Sequence, residues 1–219
     1  NGSSINADAA LIIGTKIILP FPSVGTTENI IIASAISKGK TVIVNPAREP
    51  EISDLADFLN HCGAKIYGAG ESTIVIDGVN SLYPYEHTII PDRILASTYM
   101  SLGAVCSKEL TVNNIRQSHL SPVFPVFNEM GCKIYLSDNS LTLVSPKRLK
   151  RVKSIKTMPY PGFPTDSQSP VAVALSLAKG TSILQETIFE NRFRYVSELN
   201  RFGTDIEIKD NIAVINGVD

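Results

Sequence analysis

A short polar segment, residues 23–27 (SVGTT), stands directly before a predicted apolar helix at residues 28–37. The first backbone N–H groups of a helix have no acceptor within the helix, and the helix dipole adds partial positive charge there. The segment also supplies hydroxyl groups and Gly25, and together with the free N–H groups these features predict a phosphate-binding site. A Ser or Thr at this position is also the usual N-cap, so both interpretations stay open.

Thr165 and Asp166 stand in the corresponding place before another apolar helix, predicted at residues 169–178. A carboxylate at the rim of a cleft can accept a proton from a substrate hydroxyl. An Asp at a helix start is also a good N-cap, which is the alternative for Asp166. The preceding loop, residues 159–164 (PYPGFP), contains three prolines and is therefore expected to be stiff.

Two further loops place an arginine among acidic residues, at residues 45–51 (NPAREPE) and 186–193 (ETIFENRF). For Arg48 the sequence favours internal salt bridges that brace the loop. Arg192 could brace its loop in the same way or bind a substrate anion, because a guanidinium group pairs well with phosphate and carboxylate.

A glycine followed by a strand recurs three times, at Gly63, Gly131 and Gly203, with spacings of 68 and 72 residues. The hydrophobic patterns around these glycines predict a β-α-β-α-β-β unit that is used three times. We call these units repeat 1 (residues 15–77), repeat 2 (88–144) and repeat 3 (155–215). Repeat 2 is predicted to open with a strand at 88–90 and to contain one continuous helix at 121–130.

The first helix of each repeat is apolar nearly all round, whereas the second has one polar face. A helix without a polar face is expected to be covered on every side. The pattern therefore predicts an α/β fold with the first helices gathered at the centre, the sheets around them and approximate threefold pseudo-symmetry. An ordinary α/β sandwich with loosely similar units is the alternative.

The composition of the 219-residue chain is that of a globular protein, with 43% hydrophobic and 19% charged residues and a net charge of −1. Its densest basic cluster, at residues 148–153, is too small to indicate nucleic-acid binding. Three separated cysteines and three scattered histidines predict neither a disulfide framework nor a metal site, and we expect no cofactor. No apolar run reaches the roughly 18 residues of a membrane span, and the cysteine usage fits the cytoplasm.

Five segments together closely resemble the enolpyruvyl transferase family, and within it the transferases that act on UDP-N-acetylglucosamine. They follow in the family's order and are PSVGTTEN (22–29), AREPEI (47–52), PDRI (91–94), PYPGFPTD (159–166) and ETIFENRF (186–193). The resemblance implies an inside-out α/β barrel of six β-α-β-α-β-β units, of which three are present. It implies that residues 11–90 are the last unit of the first domain and residues 91–219 the first two units of the second.

The resemblance also implies the activity, which is transfer of enolpyruvyl from phosphoenolpyruvate to the 3-hydroxyl of UDP-N-acetylglucosamine. In bacteria this is the first committed step of peptidoglycan synthesis. By position, Asp166 would be the base, the segment 21–24 would line the UDP part, and the backbone of Ile188 would meet the uracil. The substrate-binding residues predicted from the matching segments are Phe21, Pro22, Ser23, Val24, Gly25, Thr165, Ile188 and Arg192.

Family members are about twice as long, and the cationic groups that hold phosphoenolpyruvate lie in units that this chain does not contain. We therefore expect the chain to be a central fragment or a naturally shortened relative. It would bind UDP-N-acetylglucosamine, would need the missing units or a complementing chain for phosphoenolpyruvate, and would be inactive alone. The alternative is a non-catalytic protein of that fold, either a sugar-nucleotide binder or a scaffold that forms a dimer.

Overall fold

The computed structural model describes residues 11–219, in which seven α-helices and eleven β-strands alternate. The helices are α1 Val24–Ala35, α2 Pro50–His61, α3 Arg93–Cys106, α4 Gln117–Leu120, α5 Phe124–Glu129, α6 Gln168–Ser176 and α7 Tyr195–Arg201. The strands are β1 Lys16–Ile18, β2 Lys40–Val44, β3 Lys65–Tyr67, β4 Thr73–Asp77, β5 Glu109–Asn113, β6 Lys133–Ser137, β7 Ser140–Val144, β8 Ser154–Lys156, β9 Thr181–Gln185, β10 Asp205–Lys209 and β11 Ile212–Asn216. A 3-10 turn, Thr165–Ser167, leads directly into α6.

The chain divides into two compact units, the first ending at Ile89 and the second beginning at Ile90. The first contains repeat 1, and the second contains repeat 3 and all of repeat 2 except residues 88–89. This division lies beside the domain boundary expected near residue 90. That the two units belong to different domains of a larger enzyme remains a prediction.

The first compact unit is built on one four-stranded sheet in the order β1-β2-β4-β3. Strand β1 runs parallel to β2, whereas β4 is antiparallel to both β2 and β3. Alternate residues of these strands point into the core, so that Ile43, Ile74 and Ile76 have no exposed surface. Both helices contribute to the same core, with Ile31 of α1 and Ile52 of α2 also fully buried.

The second compact unit contains two sheets, one for each repeat. Repeat 3 has four strands in the order β10-β11-β9-β8, with β8 parallel to β9, which is the topology of repeat 1. Repeat 2 has three strands in the order β5-β7-β6. Helices α3 and α6, the first helices of the two repeats, pack against each other in one hydrophobic core around Met100, Leu175 and Phe127.

The strand predicted at residues 88–90 is wrong, because no strand forms there and Ile89 is 77% exposed. The chain just before it is held on helix α2 instead. His87 Nε2 lies 3.0 Å from Asp54 Oδ1, and the ring of Tyr85 stacks on His61. An extended segment becomes a strand only where a neighbour pairs with it, so the sequence pattern alone misled the prediction.

The helix predicted at residues 121–130 is confirmed from Phe124 to Glu129, but its predicted start at residue 121 is wrong. Helix α4 ends at Leu120, three residues form turns, and α5 begins at Phe124. Pro122 and Pro125 cannot donate backbone hydrogen bonds within a helix, which explains the interruption.

The first helices are not covered on every side within the described residues, contrary to the expectation from their apolar composition. On α1, Ile32 is 53% exposed and Ile36, the residue that caps its end, is 58% exposed. On α3, the exposed side chains include Leu95, Tyr99 and Leu102. Both helices therefore present an apolar face to solvent in this chain.

The three repeated glycines end the second helix of each repeat, as predicted. Gly63, Gly131 and Gly203 have φ angles of 101°, 92° and 94°, in the left-handed region that glycine adopts readily. After each one the chain reverses into a strand, β3, β6 or β10. The spacing that revealed the repeat therefore has a direct structural cause.

Two other glycines, Gly78 and Gly217, follow the last strands of repeats 1 and 3. A Cβ atom on Gly78 would lie 1.8 Å from the carbonyl oxygen of Ser37, and one on Gly217 would lie 1.5 Å from that of Ala178. Ser37 and Ala178 lie just beyond the first helix of their repeats. Backbone there passes too close to the glycine for any side chain to fit.

We predict that Gly78→Ala lowers the free energy of unfolding by about 1–3 kcal/mol, because the added methyl group forces the backbone apart. Urea denaturation measures the change. Gly25→Ala is the matched control, since a Cβ there would meet nothing within 4 Å. A Gly78→Ala midpoint equal to that of the wild type would contradict the close packing described.

Candidate functional site

Helix α1 begins with a hydroxyl cap, so the N-cap interpretation of Ser23 is confirmed. The Ser23 hydroxyl oxygen accepts a long hydrogen bond of 3.4 Å from the N–H of Thr26. Thr27 is fully buried, and its hydroxyl both donates to the Ser23 carbonyl oxygen (2.8 Å) and accepts from the N–H of Ala47 (2.9 Å). The start of α1 is thereby tied to the loop that follows β2.

The surface of this loop is open to a ligand in the first compact unit. Phe21 is 42% exposed, Gly25 is exposed, and the residues between them are half-buried. A groove runs from Ser23, Gly25 and Thr26 along the apolar face of α1 past Ile30. The loop therefore combines a helix start, hydroxyl groups and an exposed ring beside an open groove.

Negative charge stands close to this helix start. Burial raises the pKa of the Glu28 carboxyl group, and the charge of Glu51 raises it further. Arg48, the nearest arginine in the sequence, donates from Nε to the carbonyl oxygen of Gly70 at 2.8 Å. The backbone N–H of Arg48 donates to the Glu49 carboxylate at 2.9 Å. Arg48 therefore braces its loop through hydrogen bonds from both its side chain and its backbone.

The proline-rich loop of repeat 3 closes on itself before it reaches Asp166. The N–H of Met158 donates to the carbonyl oxygen of Phe163 at 2.9 Å, and the N–H of Gly162 donates to that of Pro159 at 2.8 Å. Phe163 is buried in the core of the second compact unit. These contacts fix the chain immediately ahead of the turn that carries Asp166.

Asp166 does not cap helix α6, so the N-cap alternative for this residue is wrong. The N-cap position belongs to Ser167, which makes no side-chain cap bond. The Asp166 carboxylate instead forms an ion pair with the Arg192 guanidinium, which also lies over the ring of Phe189 at 5.2 Å. Both partners stay partly exposed, at 56% for Asp166 and 38% for Arg192.

A buried carboxylate lies behind this exposed pair. Glu186 is 2% exposed, and its oxygen Oε2 accepts hydrogen bonds from the Thr165 hydroxyl (2.7 Å) and the Gln168 side-chain amide (2.6 Å). Its oxygen Oε1 accepts from the N–H groups of Ile188 (2.7 Å) and Phe189 (3.1 Å). We call these five residues the Glu186 network.

Burial by itself would raise the pKa of Glu186. The hydrogen bonds from Thr165, Ile188 and Phe189 outweigh burial and lower the pKa below its ordinary value. Nearby, burial and then the charge of Glu186 raise the pKa of Tyr195, whose hydroxyl donates to Gln168 at 2.8 Å. The network is therefore built around an ionised carboxylate.

The structure brings together four of the predicted site residues, Thr165, Asp166, Ile188 and Arg192, all in repeat 3. The other five predicted residues, at positions 21–25, form the start of α1 in the first compact unit. Sequence reasoning missed the part played by Glu186, although the residue opened one of the five matching segments. The available indication was an acidic residue directly after a strand, β9, with no basic residue next to it.

In residues 11–219, no three His, Cys, Asp or Glu side chains are grouped so that they could hold a metal ion. Among the helices of the same region, none has the length and apolar character to cross a membrane.

Comparison with known proteins gives a consistent result. The profile of the family EPSP synthase (3-phosphoshikimate 1-carboxyvinyltransferase) matches residues 3–219. UDP-N-acetylglucosamine 1-carboxyvinyltransferase 2 of Caldanaerobacter subterraneus subsp. tengcongensis is 50% identical over 206 residues, which cover 94% of this chain and 49% of that protein. UDP-N-acetylglucosamine 1-carboxyvinyltransferase of Finegoldia magna is 48% identical over 210 residues, 95% of this chain and 49% of that protein.

Among solved structures, the enolpyruvyl transferase NikO from Streptomyces tendae has the same fold, with a TM-score of 0.87 at 24% sequence identity. The superposition covers 95% of this chain and 52% of NikO. The chain thus spans about half the length of the relatives it matches. Its three-sheet α/β architecture is that of half an enolpyruvyl transferase, and the chain belongs to the EPSP synthase, or enolpyruvyl transferase, family.

Proposed function

We propose that the chain forms part of a cytoplasmic enzyme that transfers the enolpyruvyl group of phosphoenolpyruvate to the 3-hydroxyl of UDP-N-acetylglucosamine. This reaction would serve peptidoglycan synthesis. The names of the relatives about 50% identical to this chain support the sugar nucleotide as the acceptor. Residues 11–90 would close the first domain of the whole enzyme, and residues 91–219 would open the second.

The observation that carries the proposal is the placement of Asp166 at the entry to α6, paired with Arg192 and partly exposed. An ion pair restricts the rotation of both side chains and leaves one carboxylate oxygen free to face a hydroxyl group. As the base, Asp166 would take the proton of the sugar 3-hydroxyl. Ile188, whose N–H is bonded to Glu186, would direct its remaining backbone group towards the uracil.

The reaction would proceed by addition and elimination. The hydroxyl oxygen bonds to C2 of phosphoenolpyruvate, its proton passes to Asp166, and the methylene carbon takes up a proton from an acid outside this chain. The tetrahedral intermediate then loses a proton from that carbon and the phosphate group, which restores the double bond. Several cationic groups must surround the phosphate and carboxylate during these steps, so we place the binding of phosphoenolpyruvate in the remaining half of the enzyme.

At the start of α1, the backbone N–H groups and Ser23 would face the diphosphate. Phe21 and Pro22 would cover the nucleotide, Val24 would line the site through its backbone, and Gly25, which has no side chain, would leave room for close approach of the phosphates. An open groove beside this helix start supports the assignment.

A second candidate, kept from the sequence, is a sugar-nucleotide binder of the same fold without turnover. Both candidates bind UDP-N-acetylglucosamine, whereas a scaffold of the same fold would not.

We predict that the chain binds UDP-N-acetylglucosamine in calorimetric titrations, with little heat from ADP at the same concentration, because the sugar and uracil supply the specific contacts. No saturable heat at millimolar UDP-N-acetylglucosamine would remove the binder without turnover, and the enzyme would then be decided by the turnover test that follows.

Turnover can be tested in the Caldanaerobacter relative with the segment that matches this chain replaced by this chain. There we predict that Asp166→Asn lowers kcat by about 10²- to 10⁴-fold, the contribution of a positioned base, with little change in affinity for the sugar nucleotide. Asp138→Asn, an exposed change between β6 and β7, is the control. If Asp166→Asn turned over at the wild-type rate, Asp166 would be only a structural partner of Arg192.

A further inference from the structure

The four donors around Glu186 cannot all be paired by a neutral side chain of the same shape. Each of its two oxygens accepts two hydrogen bonds, from Thr165 and Gln168 on one side and from the backbone of Ile188 and Phe189 on the other. A carboxylate offers acceptors at both ends, whereas a glutamine offers donors at one end. In Glu186→Gln, the new NH₂ group must face one of the two sets of donors. It would meet either the backbone N–H groups of Ile188 and Phe189 or the side-chain donors of Thr165 and Gln168.

The orientation of Gln168 is fixed by a further contact. The hydroxyl of Tyr195 donates to the Gln168 side-chain oxygen at 2.8 Å, so the amide nitrogen of Gln168 points to Glu186. Gln168 is 1% exposed and forms the first residue of α6. The carboxylate is thereby bonded to both ends of the turn that contains Asp166.

The same carboxylate holds the backbone at residues 188–189. The N–H of Phe189 is one of the donors to Glu186, and the ring of Phe189 lies under the guanidinium of Arg192. The contacts of Glu186 thus reach both partners of the exposed ion pair, Asp166 through its chain neighbour Thr165 and Arg192 through the ring of Phe189. Asn211 fixes Glu186 itself, since its side chain donates to the Glu186 carbonyl oxygen at 3.0 Å and its carbonyl oxygen accepts from the Glu186 N–H at 2.9 Å.

We propose that Glu186 is the positioning residue of the sugar-nucleotide site in repeat 3, where it holds the Asp166 turn and the 188–189 backbone in the arrangement that binds substrate. The inference rests on the proposed function, since that function gives Asp166 and Ile188 their roles. Glu186 itself is buried and does not touch the ligand.

The network also predicts how stability depends on pH. A carboxyl group with a lowered pKa in the folded state stabilises the protein above its unfolded pKa, and this contribution is lost as the pH falls through the folded pKa. The melting-temperature difference between wild type and Glu186→Gln should therefore be largest at neutral pH and should shrink below about pH 4. A difference that is the same at both pH values would show that the charge of Glu186 contributes nothing.

The decisive comparison uses the chain with Glu186→Gln and with the exchanged pair Glu186→Gln/Gln168→Glu. In the exchanged pair, the glutamine at position 186 can accept from both backbone N–H groups while its amide donates to the carboxylate at position 168. We expect Glu186→Gln to lower affinity for UDP-N-acetylglucosamine about tenfold or more, as for loss of a hydrogen bond to a charged group. The exchanged pair should recover most of this loss, and exposed Glu207→Gln should lose none.

Amide spectra of the same variants, recorded without ligand, separate this proposal from the proposed function. Glu186→Gln should shift the ¹⁵N–¹H resonances of Asp166, Ile188 and Phe189, and the exchanged pair should restore them. Unchanged resonances in Glu186→Gln, or wild-type affinity in that variant, would overturn the positioning role. Restored resonances in a chain that binds no UDP-N-acetylglucosamine would refute the binding role proposed for repeat 3 but keep Glu186 as the residue that orders both segments.

Discussion

A carboxylate in the protein interior is costly unless both of its oxygens find donors, and Glu186 meets this requirement with four hydrogen bonds. Two of the donors are backbone N–H groups of the loop after β9, and two are side chains at the entry to α6. To satisfy one buried charge, the chain must bring these segments together. Asp166 and Arg192 are carried by the same two segments, so their ion pair at the surface depends on a hydrogen-bonded group beneath it.

A second constraint comes from the apolar first helices. Their composition predicts complete burial, yet α1 and α3, with the residue that ends α1, expose Ile32, Ile36 and Leu102 among others. The relatives are about twice as long as this chain, and NikO shares its fold over about half of its own length. Apolar helix faces of this kind are expected in one half of a larger α/β fold, where further repeats are available to cover them.

Patterns of neighbouring residues predicted most of the fold. The left-handed glycines, the apolar stripe of α2 and the alternating strands β2 and β4 depend on local periodicity, which can be read directly. Residues 88–90 misled the prediction because strand formation depends on a distant partner. The helix start was placed three residues too early because the apolar pattern at 121–130 was given more weight than Pro122 and Pro125.

The site was less predictable for the same reason. Family resemblance pointed to Asp166, Ile188 and Arg192, but no local pattern indicates that Glu186 collects donors from two segments about twenty residues apart in the chain. Asp166 pairs with Arg192, which lies on a different loop, instead of capping α6. Long-range side-chain pairing is decided by the fold and becomes visible only in the structure.

A crystal structure of this chain with UDP-N-acetylglucosamine would test the placement of the site most directly. The sugar 3-hydroxyl is predicted to lie within hydrogen-bonding distance of the Asp166 carboxylate, with the uracil against the backbone of Ile188. Density for the nucleotide elsewhere on the chain, with the Asp166–Arg192 pair untouched, would contradict the assignment.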